Sequence, residues 1–302
     1  MEPTTTQKAI RDIVAIIMVG LFMFPIFWWA LTSIKPMGAV FNKDRIVWFD
    51  FMPTLVNYGV VLLGRSRAEI GIGSGNTFAI GGASTYDSRQ TIIDSIIIAV
   101  GSTFVTVIIA VLASYALSRM AFKGRNLYLN WVLGQRFLPP IAVIVPIVFM
   151  FKAIGFRDTD NLFLGYIGLI FMHSLINLPI AILLMKSFFD DVPKDVDEAS
   201  MIDGATRFQS FRLVVLPMVR GGVAATAVLC FVFSWTEFLL SLFLTTQIRT
   251  LPVKITTFVT STGSEWGFIS ALGTSAIVPS FVFILLVQRH LVRGLTLGSL
   301  KE

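Results

Sequence analysis

The sequence predicts an all-α, polytopic membrane protein with six transmembrane helices. Of its 302 residues, 55% are hydrophobic and 14% are charged, whereas soluble domains carry about 25% charged residues. Six segments also reach the roughly 20 mostly apolar residues needed to cross a bilayer. Finally, the net charge of +6 gathers beside the apolar segments. That placement reads as membrane orientation and argues against a nucleic-acid partner.

The expected crossings are residues 13–34, 95–118, 127–151, 162–185, 217–245 and 267–288, within one transmembrane domain spanning 1–302. The first apolar segment is longer than the 7–15 residues of a signal-peptide core, so no cleavable leader is expected. Pro25, Pro139–Pro140, Pro146, Pro179 and Pro279 lie inside crossings; each is an expected kink. An N-in, C-in arrangement puts 13 Lys and Arg on the inner side and 10 on the outer. Leaving out the long outer loop, residues 35–90, reduces the outer count to 4. Long loops translocate with little regard for charge, so the contrast favours this orientation.

Within the outer loop, residues 65–89 are rich in Gly and Ser, which suits a loop that moves or docks. The chain carries no G-x-x-x-x-G-K-[ST] phosphate loop. His173 and His290 lack Cys or carboxylate companions at metal-ligand spacing. No nucleophile stands at recognisable spacing from a base. The lone Cys230 lies in an apolar run and is expected to pack there. Cofactors are expected to be absent from this chain.

Between the fourth and fifth apolar segments the chain becomes polar: KDVDEASMIDGATRFQSFRLVVLP, Lys194–Pro217. Pro193 suits a first helical position. Asp195, Asp197 and Glu198 fall where the helix dipole favours negative charge. Gly204 is placed to stop the helix with positive φ. Thr206 and Gln209 then have the T-x-x-Q spacing of a capping box. A helix of about ten residues is too short to cross a membrane. Held between two crossings on the inner side, it would act as a mechanical handle.

This stretch resembles the EAA loop of ABC importer permeases. That pattern is E-A-A, three residues, G, nine residues, I-x-L-P. Here it reads Glu198-Ala199-Ser200, then Gly204, then Val214-Val215-Leu216-Pro217, with Ser200 for the third Ala and Val214 for Ile. Ser114–Asn126, Ser234–Thr245 and the tail Gln288–Glu302 resemble carbohydrate-uptake permeases, most closely the second permease subunit of maltose-like systems. The likeness covers nearly all of the chain except residues 65–89.

The resemblance implies an ABC importer permease fold with a cytoplasmic coupling helix. It implies that Glu198, Ala199, Ser200, Asp203, Gly204, Leu216 and Pro217 serve coupling to a separate ATPase, which would hold the ATP and Mg. It also implies two such ATPase subunits, a second, different permease, an extracytoplasmic solute-binding protein and a bacterial inner-membrane location. The tail after Arg293 would reach between the ATPase subunits. The solute would be a sugar, oligosaccharide or polyol.

Three polar residues inside crossings are candidates for the translocation path: Arg136, Asn177 and Glu237. Arg136 sits about 14 Å into its crossing, where a charge costs about 2.5–3.5 kcal/mol on insertion scales. It should therefore face water, a partner subunit or a pairing group. His173 and Asn177 suit hydrogen bonding inside the bundle as well. Two alternatives stand beside an ATP-driven importer. An ion-gradient secondary transporter would show paired intramembrane carboxylates or inverted repeats. A membrane enzyme would show clustered catalytic side chains.

Overall fold

The computed structural model describes residues 5–41, 46–65, 86–157, 161–260 and 263–298. Most of the loop at 65–89, the last four residues of the tail and all side chains from residue 289 onward lie outside what is described. The expectations placed on the loop and on the tail contacts fall there. The chain divides into two compact units, Met1–Gln90 with Lys254–Val278, and Thr91–Val253 with Pro279–Glu302.

In the first unit, α1 (Thr5–Ser33) is a helix of 29 residues whose side chains are exposed from Gln7 to Phe27. Short helices α2 (Met37–Val40) and α3 (Val56–Leu63) follow. The end of α1 is tied down by polar bonds. Asn57 donates to the carbonyls of Ser33 and Lys35, at 2.8 and 3.1 Å. Lys35 is buried, donates to the Val47 carbonyl at 2.7 Å and lies 4.0 Å from the centre of the Trp28 ring. Burial holds its pKa below the usual lysine range.

The second unit contains α4 (Arg89–Arg119, its first two residues belonging to the other unit), α5 (Arg125–Gly134), α6 (Pro140–Ile154) and α7 (Leu162–Asp190). After these come α8 (Lys194–Ile202), α9 (Arg207–Gln209), a π-turn (Ser210–Val215) and α10 (Leu216–Met218). Next are α11 (Arg220–Trp235), α12 (Leu239–Leu244) and α13 (Leu251–Thr256), which runs across the unit boundary. A two-residue hairpin, β1 (Val259–Thr260) and β2 (Gly263–Ser264), pairs Val259 with Ser264, so a trace of strand accompanies the helices. The hairpin belongs to the first unit, and the last helix, α14 (Trp266–Gly298), has its residues up to Val278 in the first unit and those from Pro279 in the second.

Among the described residues, four helices are long and apolar enough to cross a membrane: Thr6–Ser33, Arg89–Arg119, Leu162–Asp190 and Trp266–Gln288. Two bent pairs raise the total to six, which matches a multi-pass membrane protein. Two of the expected crossings are sharply bent. Residues 127–151 are not one rod: α5 and α6 meet at 95°. Pro139–Pro140 explains the break, because a proline disfavours helical backbone before it and lacks an N–H to donate. Residues 217–245 are also interrupted. The segment Arg207–Met218 meets α11 at 74°, and α11 stops at Trp235 before α12 begins. By contrast, Pro25, Pro146, Pro179 and Pro279 all lie inside unbroken helices.

Close packing in this unit uses small residues. A Cβ on Gly222 of α11 would collide with the Phe188 ring of α7, and one on Gly101 of α4 would lie 2.7 Å from Ile170. Small residues at such crossings let backbones approach where lipid supplies no hydrophobic drive.

Candidate coupling helix and polar cavity

The polar interlude folds as a helix, a glycine turn and a second helix. Pro193 is the N-cap of α8, with ψ of 138°, rather than its first helical residue. At the other end Gly204 has φ +91°. The Gly204 N–H donates to the Met201 carbonyl and the Ala205 N–H to the Ser200 carbonyl, both at 3.1 Å. These two bonds make a Schellman end, which satisfies carbonyls that the helix leaves open. The capping box forms in full. Gln209 N–H donates to Thr206 Oγ1 at 3.3 Å, and Thr206 N–H donates to Gln209 Oε1 at 2.7 Å.

One side of α8 is tied to its surroundings. Asp197 and Arg119 form an ion pair, Nε to Oδ2 at 2.8 Å, with side chains 9% and 6% exposed. Tyr115 Oη donates to Asp197 Oδ1 at 3.0 Å. Ser200 Oγ lies 2.8 Å from the Asp197 carbonyl oxygen and shares a hydrogen bond of 2.7 Å with Ser210 Oγ. Arg119 also donates to the Val192 carbonyl at 2.8 Å. Around this knot lies a core that includes Tyr115, Met185, Phe189, Phe211 and Val215. The other side of α8 is open: Glu198, Ala199, Met201, Ile202, Asp203 and Gly204 are exposed, Ile202 at 86%. Leu216 and Pro217 line a groove with Arg212, Arg220, Ala227 and Val287, and so stand apart from that open face.

Arg136, Asn177 and Glu237 come together. With His173, Phe233 and Leu240 they line a cavity of about 220 Å³. Each position has a local cause. Arg136 lies in a 3₁₀ turn, Gln135–Phe137, at the bend between α5 and α6. Asn177 and His173 are one helical turn apart on α7 and so share a face. Glu237 sits in the gap between α11 and α12. Its carboxylate accepts the N–H groups of Leu240 and Ser241 at 2.8 and 3.3 Å, using otherwise open donors of α12.

Behind the cavity a polar chain links four helices. Ser102 of α4 and Ser234 of α11 share a hydrogen bond of 2.7 Å, and Ser234 bonds His173 Nδ1 at 2.7 Å. His173 Nε2 lies 3.4 Å from Ser241 Oγ and 3.5 Å from Glu237 Oε2. Sequence reasoning missed Ser102, Ser234, Tyr115, Arg119 and the pairing of Asp197. Two signals were present: serines inside apolar runs, and Tyr115 four residues before Arg119 on one helix face.

The chain resembles transport proteins over its whole length. Residues 106–297 match the model of the family "Binding-protein-dependent transport system inner membrane component". The sulfoquinovosyl glycerol transport permease of Agrobacterium fabrum is 33% identical, over 97% of this chain and 94% of that protein. The trehalose transport permease of Mycobacterium tuberculosis is 32% identical, over 94% of each. The trehalose/maltose transport permease of Thermococcus litoralis is 31% identical, over 100% of this chain and 99% of the relative. In fold, the chain is similar to a crystal structure of a bacterial ABC transporter involved in import of the acidic polysaccharide alginate. The TM-score is 0.69 at 18% identity, over 96% of this chain and 99% of the other. With its bent crossings, exposed polar-loop helix and end-to-end likeness to these permeases, the chain belongs to the family of inner-membrane components of binding-protein-dependent transport systems, as an ABC transporter permease.

Proposed function

We propose that this permease imports a carbohydrate-like solute, with α8 as the coupling helix that a separate, cytoplasmic ATPase moves. The observation that carries the reading is the two-sidedness of α8: one side is tied by Asp197 and Ser200, and the other presents Glu198, Ala199, Ile202 and Gly204. A surface helix held by buried polar bonds yet offering exposed apolar residues suits a docking partner. Sulfoquinovosyl glycerol, trehalose and maltose in the names of its relatives support the solute class.

On this reading the N- and C-termini are cytoplasmic, two ATPase subunits bind ATP and Mg, and a second permease completes the pathway. A binding protein delivers solute from outside, and the membrane is a bacterial inner membrane. Nucleotide shifts the equilibrium between inward- and outward-open states only by its differential affinity for them. Within this chain, Arg136, Asn177 and Glu237 line the path with hydrogen-bonding groups suited to hydroxyls. The ion-gradient alternative draws no support from these relatives.

The test is to purify the assembled complex and measure ATP hydrolysis with trehalose, maltose and glycerol glycosides presented on the binding protein. Stimulation by at least one of them is expected. Failure of every sugar, with stimulation by amino acids or peptides instead, would overturn the solute class.

A further inference from the structure

We infer that the Arg119–Asp197 pair is the joint through which movement of α8 enters α4, and that α4 carries it to the polar chain behind the cavity. This rests on α8 being the coupling helix. It adds which crossing receives the force, and by which residues.

α8 is joined covalently only to its neighbours in sequence, and one of those joints is the Gly204 turn, a natural swivel. Its polar attachments are the buried Asp197–Arg119 ion pair, the Tyr115 hydrogen bond to Asp197, and a half-buried hydrogen bond between Ser200 and Ser210. The first of these lands on α4, which is neither of the helices that flank α8 in sequence. Arg119 is gripped from several sides, by Asp197, by the Val192 carbonyl and by Ser118. Ser118 in turn donates to Asp190 at 2.7 Å, and Ser114 donates to the Ile182 carbonyl at 2.7 Å. Displacing α8 therefore displaces the end of α4.

From Arg119 back to Ser102 is 17 residues of unbroken helix, about 26 Å at the α-helical rise. Ser102 bonds Ser234, which bonds His173 on the cavity wall. One continuous helix thus has a buried polar joint at its C-terminal end and another near its middle. That is a contiguous physical network of the kind along which coupling between distant sites can travel. Arg119 and Asp197 are positioning residues on this account, since neither lines the cavity.

The experiment uses the whole complex, reconstituted with its ATPase subunits in liposomes. Phe233, 37% exposed on the cavity wall, is changed to Cys as a reporter, while the native Cys230 is buried. The maleimide labelling rate is measured without nucleotide and with ATP plus vanadate. With the native pair, nucleotide should change the rate by about ten-fold, within the usual range of coupling between sites.

Arg119→Met with Asp197→Asn leaves no lone buried charge. ATP hydrolysis should continue in this variant, and the nucleotide effect should fall below about two-fold. Tyr115→Phe, which removes a single hydrogen bond, should reduce the effect by about three-fold. A merely structural pair would change abundance and leave the nucleotide effect intact. The inference is overturned by a full effect in either variant, or by no effect with the native pair. Ile202→Cys, cross-linked to the ATPase, separates the two readings. Cross-linking together with a full effect in the variants sinks only the α4 joint, whereas no cross-linking sinks the coupling helix itself.

Discussion

Arg119 and Arg136 belong to the same unit, and the fold brings a carboxylate into the neighbourhood of each. Around Arg119 everything is closed. Its carboxylate is Asp197 at 2.8 Å, both side chains are buried, and the remaining guanidinium bonds go to the Val192 carbonyl and Ser118. Around Arg136 everything is open. It is exposed in a 3₁₀ turn, it shares a cavity with Glu237, and among the described residues it has no ion-pair partner. Glu237 meanwhile spends its oxygens on the backbone of α12. A buried charge must be paired, or the desolvation cost goes uncompensated. An arginine without an ion pair at a polar cavity retains its donors for water. One arginine acts as a fastening and the other as a lining group.

The largest effect that would break this contrast is on stability. Asp197→Ala leaves Arg119 buried without its counter-charge and should cost about 3–5 kcal/mol. Loss of folded permease, or a sharply lowered thermal midpoint in detergent, is the expected result. Next comes Gly204→Ala. Space is not the obstacle, because a Cβ there meets nothing within 4 Å. The strain of φ +91° remains, and should cost about 1–2 kcal/mol, seen as reduced solute uptake per ATP with the complex still assembled. Thr206→Ala removes the capping box and should cost about 1 kcal/mol, measurable as faster proteolysis between Gly204 and Ser210. The smallest effect on stability belongs to Arg136→Gln. With no ion pair to lose, it should shift unfolding by no more than about 0.5 kcal/mol, while solute-stimulated ATPase falls. Equal destabilisation by Asp197→Ala and Arg136→Gln would erase the distinction.

Much of this was legible in the residues. Long apolar runs pointed to a multi-pass membrane protein because a bilayer imposes their length. Gly204 and Thr206–Gln209 announced the turn and the cap, since those conformations demand those side chains. Arg136, Asn177 and Glu237 stood out because polar groups are costly at membrane depth. The rest depended on tertiary contacts. Asp197 reads as one of several acids favoured by a helix N-terminus, and only folding reveals that it closes on Arg119, 78 positions earlier. Of the prolines inside crossings, the sequence did not indicate that Pro139–Pro140 alone would divide a helix from its neighbour by 95°. Glu237 looked like a residue within one long helix, yet it caps a new one after a gap.

The most direct test of the account concerns which side of the membrane α8 occupies and what reaches it. Ile202→Cys should react with a membrane-impermeant maleimide in inverted vesicles and not in intact cells. Binding of the ATPase subunits should slow that reaction. Rapid labelling in intact cells would place the helix on the outer side, beyond the reach of any cytoplasmic motor, and would contradict the coupling role.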